Sequence, residues 1–115
     1  MNLVAYDVAL EMIRAIAPLV VIIKKHDRDL ADQLRRAANS VLLCTGEARR
    51  RAGGDRTQLF RTAAGSCDEC NSALDGANGW GIALDDRKAR ALIDRELGLL
   101  YGLVHGPKHL RHARG

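Results

Sequence analysis

Apolar residues recur along this chain at alternating steps of four and three, the spacing that lines one face of an α-helix. One series takes Leu30, Leu34, Ala37, Val41, Cys44 and Ala48. A second takes Phe60, Ala63, Cys67, Cys70, Leu74 and Ala77, and a third Ile93, Leu97, Leu100 and Val104. Breakers separate these series. A first helix is predicted from about Val4 to Lys25, ending in the polar stretch KKHDRD. Asp29 is placed to cap a second helix running to about Arg51. Gly53-Gly54-Asp55 interrupts the pattern, and a third helix spans Arg56 to Ala77. A loop over Gly76 to Gly81 follows, Asp85 or Asp86 opens a fourth helix, and Gly106-Pro107 stops it. Short connections make successive helices antiparallel. The sequence therefore predicts one all-α domain, an up-down-up-down four-helix bundle over 1–106, with a basic, flexible tail at 107–115.

Two departures from simple amphipathicity point outward from the single chain. The first helix has little polar surface beyond a narrow stripe of Asp7, Glu11 and Arg14, so it is expected to be buried on two sides. On the outer face of the second, Arg28, Arg35 and Arg49 recur at seven-residue spacing, with Arg36 and Arg50 beside them. Leu42 and Leu43 occupy the middle of that face, and leucines flanked by arginines read as an oligomer interface. The alternative is a loop or the C-terminal tail packing over them.

Composition agrees with a helical bundle. The 115 residues are 47% hydrophobic but only 3% aromatic, with Ala and Leu dominant, whereas sheets favour aromatic and β-branched residues. The net charge of +4 suits a polyanionic partner without demanding one. Part of it lies in the tail, where Lys108, Arg111 and Arg114 stand without an acid, as a solvated terminus or a nucleic-acid contact. No secretory signal is apparent, and the apolar run Ala15 to Ile23 is shorter than the ~20 residues a membrane span needs. Three cysteines, an odd number, suggest a reducing compartment, and the expected location is the cytoplasm.

Candidate chemistry mostly dissolves into core or surface. Cys67 and Cys70 form a C-x-x-C, yet no second ligand pair accompanies it, and a thioredoxin-like site needs a strand before it. All three cysteines fall on apolar seams, which small buried hydrophobes explain. A di-iron site needs Glu-x-x-His, but Arg14, Arg50, Ser72 and Leu99 follow Glu11, Glu47, Glu69 and Glu96 at that spacing. Glu47 and Glu69 can be imagined facing one another, though ion pairs with arginines fit them better. His105, His109 and His112 are interrupted by Gly106-Pro107, and Gly98-x-x-x-Gly102 in water marks only a close approach. No phosphate loop or catalytic motif is present, so neither enzymatic activity nor a cofactor or metal is expected. Arg49-Arg50-Arg51 with Arg56 reads either as a solvated helix end or as a phosphate-binding corner.

The segments QLRRAANSVLLCTGEARR at Gln33 to Arg50 and AAGSCDE at Ala63 to Glu69 resemble the small bacterial four-helix-bundle proteins found in intervening sequences of 23S ribosomal RNA genes. Arg35, Arg36, Ser40 and Glu47 match the family's first motif; Gly65, Ser66 and Glu69 match the second. Leu42 stands where a proline is common and Cys44 where an asparagine is expected, and Gly46 and Ala48 replace an alanine and a glycine. The resemblance implies a ring, typically pentameric. It extends to the accessory proteins of diversity-generating retroelements, basic rings that bind a reverse transcriptase and nucleic acid. The expected function is thus a non-enzymatic homo-oligomer contacting RNA or DNA through Arg35, Arg36, Arg49, Arg50, Arg51 and Arg56. The alternative is a protein-binding scaffold for a reverse transcriptase or another enzyme.

Overall fold

The computed structural model describes residues 3–114, with side chains described for 3–106. Four helices account for almost all of it: α1 (Val4–Lys24), α2 (Arg28–Ala48), α3 (Gly53–Gly79) and α4 (Arg87–Arg114). No strand occurs among the described residues. α1 packs on α2 and α4, and α3 on the same two helices, so the four surround one core.

Local chemistry sets the helix ends, and several differ from the sequence expectation. Asp27, not Asp29, caps α2: its backbone is extended and its Oδ1 accepts the Leu30 amide at 3.0 Å. Asp29 lies inside the first turn, where a carboxylate still suits the helix dipole. α2 stops at Ala48, and the Arg50 and Arg51 amides close turns onto the carbonyls of Glu47 and Ala48. α3 begins earlier than expected and takes in Gly53 to Asp55. The chain reverses at Gly53, whose φ of +62° is open to glycine, and the helix winds from there. α3 also continues through Gly76 to Gly79; the turn comes at Gly81, with φ +81°. At the start of α4 the Asp86 carbonyl accepts the Arg90 amide at 2.9 Å, as the expected opening near Asp86 requires. Gly106 breaks the regular winding of α4 (φ 65°, ψ −162°), at the position expected for its end, and the element resumes beyond. The flexible-tail reading of 107–115, with Lys108, His109, Arg111, His112 and Arg114, lies outside the residues whose side chains are described.

The core confirms one seam and corrects two. Phe60, Ala63, Cys67, Cys70, Leu74 and Ala77 of α3 are all buried, as their spacing predicts. In α2 the seam steps from Val41 to Thr45, leaving Cys44 half-buried. The Thr45 hydroxyl donates to the carbonyls of Val41 (2.9 Å) and Leu42 (3.0 Å), which satisfies it inside the helix. In α4 the buried line is Ala89, Ile93, Glu96 and Leu100, with Leu97 and Val104 half-buried at its side. A carboxyl therefore occupies a core position the sequence assigns to leucine. α1 buries one face and presents Asp7, Glu11, Arg14, Ala17, Pro18 and Val21 outward, so its exposed stripe turns from polar to apolar along its length.

Candidate functional site

The seam between α1 and α2 carries the most distinctive surface. Near the start of α1 and the end of α2 lies a groove of about 740 Å³, lined by Tyr6, Leu42, Leu43, Gly46 and the three arginines 49–51. Gly46 makes room for it: a Cβ there would come within 3.2 Å of Tyr6 Cε1, closer than side chains ordinarily pack. The Tyr6 ring thus lies against α2, and the Arg49 guanidinium stacks on it at 3.8 Å from the ring centroid. Arg49 Nε also reaches the Gly46 carbonyl at 3.5 Å. Leu42 packs against the core, whereas Leu43 is 68% exposed. Farther along the same seam, Ile13, Ala17, Val20, Ala38 and Arg35 line a second groove of about 380 Å³. The α1/α2 side is therefore an apolar furrow with cations at one end and Arg35 along its wall.

The arginines expected to contact nucleic acid are spread over more than one groove. Arg35 lines the α1/α2 groove, but Arg36 lines another of about 420 Å³ between α2 and α3, with Gln33, Glu69 and Ser72. Arg51 Nη2 pairs with Glu47 Oε1 at 2.9 Å. Arg56 is half-buried, its guanidinium 5.3 Å from the Phe60 ring centroid, and its Nε is buried without a hydrogen-bond partner. Arg50 is exposed and enters no ion pair among the described residues. What the structure does bring together is Leu42 and Leu43 with Arg49, Arg50 and Arg51, in one concavity. Glu47 and Glu69, considered above as a facing pair, line different grooves; Glu47 has the arginine partner that its sequence suggests.

No family model, no curated protein and no solved structure matches the chain.

Two sites escaped the sequence reading. Arg90 ties the end of α3 to the start of α4. Its Nη2 bonds Asp75 at 2.7 Å, its Nε bonds Asp86 at 3.0 Å, and its Nη1 reaches the carbonyl and side-chain oxygens of Asn71, each at 3.2 Å. The Arg90 hydrogen bond holds the Asp86 carboxyl below its ordinary range. Glu96 is the second: it is 0% exposed and neither carboxyl oxygen has a hydrogen-bond partner. Burial pushes its pKa up to about 8. Burial, and after it a Glu96 carboxylate when that group ionises, raise Cys67, while burial followed by Glu69 pushes Cys70 up to about 12. Both thiols are thus held protonated and unreactive. Among the described residues no group of His, Cys, Asp and Glu is disposed to hold a metal ion, and no helix is long and apolar enough to cross a membrane.

Proposed function

We propose that this chain is a non-enzymatic, self-associating four-helix bundle of the cytoplasm that contacts RNA or DNA through its arginines. The observation that carries self-association is Leu43, 68% exposed in a groove it shares with Tyr6, Leu42, Gly46, Glu47 and three arginines. Val4 and Val21 on α1, 49% and 59% exposed, extend the apolar surface of that side. An antiparallel arrangement of α1 with α2 and of α3 with α4 is supported by pairs that join opposite helix ends: Tyr6 with Arg49, and Asp75 with Arg90. Closure into a ring, typically a pentamer, rests on the resemblance to the intervening-sequence proteins. A ring would bring the Arg49–Arg51 corner round once per subunit and multiply its pull on a polyanion.

Native mass spectrometry of the purified protein, with and without nuclease, tests both parts. The expected result is a closed oligomer carrying nuclease-sensitive mass at low salt. Leu43→Glu should shift it toward monomer, while replacing Arg49, Arg50 and Arg51 together should lower nucleic-acid affinity steeply without unfolding the bundle. A monomer at every concentration removes the assembly, and no binding to any RNA or DNA at low salt removes the nucleic-acid role.

A second reading, a scaffold for a reverse transcriptase or another protein, is favoured by the sharing of one groove between Leu43 and the arginines. Glu47 offsets Arg51, and Tyr6, Leu42 and Leu43 give the groove an apolar wall beside Arg49 and Arg50. It predicts capture of a protein partner that Leu43→Glu abolishes and added salt leaves intact.

A further inference from the structure

Glu96 sits between Ile93 and Leu100 on the buried line of α4, wholly removed from solvent. Both of its oxygens lack a hydrogen bond, where nearly every buried polar atom in a folded protein finds one. α4 packs on α1 and α3. The buried positions of α1, among them Val8, Met12 and Ile16, carry no ionisable group. The buried positions of α2 carry only Thr45, whose hydroxyl is spent on its own helix. α3 supplies the thiols of Cys67 and Cys70, and its Asp68, also near Cys67, is exposed. The neighbouring cation, Arg95, is on the surface beside Glu11. Among the described residues no positive group is paired with Glu96 in the core, so the closed bundle accommodates the carboxyl in its neutral form.

We propose that Glu96 makes the seating of α4 against α1 and α3 proton-dependent, α4 closing over the neutral carboxyl and swinging or fraying outward when the proton leaves. The physical basis is the reference state. Once α4 opens, the carboxyl meets water and returns to its ordinary value of 4.5, whereas closed it holds its proton to about 8. Opening therefore releases a proton throughout that interval, and the open fraction rises up to tenfold per pH unit across it. Below 4.5 and above 8 both states have the same protonation and the dependence flattens.

Hydrogen–deuterium exchange, corrected for intrinsic exchange rates, reads this directly. Between pH 5 and 8 the protection of α4 amides should fall steeply and lie below that of α2 amides, which open only when the whole bundle unfolds. In Glu96→Gln the α4 dependence should vanish; Glu96→Leu serves the same purpose if the amide variant does not fold. Equal protection in all four helices at every pH, or a pH dependence that survives in the variant, would overturn the proposal. Difference infrared spectroscopy of the unaltered protein gives a readout free of mutation. A protonated carboxyl band at pH 6.5, absent in the variant, is expected, and its absence from the unaltered protein refutes the neutral closed state.

Discussion

Ser66 Oγ donates a 2.8 Å hydrogen bond to Ser40 Oγ, joining α3 to α2. These two serines belong to the two separate segments on which the family resemblance rests, so both segments have a structural role in holding one helix pair. Ser40 also lies 3.9 Å from Cys44 Sγ, one turn further along α2.

Removing the Ser66 hydroxyl should therefore destabilise the bundle. Ser66→Ala or Ser40→Ala is expected to cost about 1 kcal/mol in urea unfolding, and the double variant less than the sum of the two. Strict additivity in the cycle would show that the bond contributes nothing.

Arg90 is the costlier single loss. Arg90→Ala takes a donor from Asp75, from the Asn71 carbonyl and from Asp86, which keeps only Asn78, and should cost about 1–3 kcal/mol. Arg90→Lys keeps the charge but not the planar fork, and should recover only part of that. Asp75→Asn, at a 70% exposed partner, should change stability by less than about 1 kcal/mol.

Stability should peak in mild acid. Asp86 is held below its ordinary 3.8, so its contribution is present above that value and is lost as the pH falls through its lowered folded value. Glu96 works in the opposite sense. Its pKa is raised, so the unfolded chain gives up the proton first, and stability declines as the pH climbs from 4.5 to about 8. The expected slope is about 1.4 kcal/mol per pH unit at its steepest. Glu96→Leu should flatten that decline and stabilise the protein at neutral pH by a few kcal/mol. Urea denaturation at a series of pH values checks both limbs.

Thiol labelling should discriminate the three cysteines. Cys44 is half-buried and should react with a thiol reagent in the native protein; Cys67 and Cys70 should react only as the core opens. Rapid native modification of Cys70, or a reversible Cys67–Cys70 disulfide, would revive a redox role.

Periodicity made the α3 seam legible from Phe60 to Ala77, because an apolar residue stands at every step of three or four. It failed in α4 for a physical reason. From Ile93 the next core position can be three or four residues on, and preferring leucine to a glutamate put Leu97 where Glu96 lies. The same ambiguity exchanged Cys44 for Thr45, whose hydroxyl hides its polarity inside its own helix. At α2, two aspartates stood within reach of the N-terminus, and only the backbone angles of Asp27 decide between them. The groove was half legible. Leu42, Leu43 and the arginines share one helix and so one face, but Tyr6 comes from another helix and is admitted by Gly46, a contact no spacing within α2 can announce.

Trp80 follows α3 at the α3–α4 turn, is the only tryptophan in the chain, and is 79% exposed. Its indole is already solvated in the folded protein, so intrinsic fluorescence will be nearly silent on unfolding, and circular dichroism must follow that transition. The same silence makes the residue an optical flag for docking: a blue shift in its emission reports a neighbouring subunit or partner covering that end of the bundle.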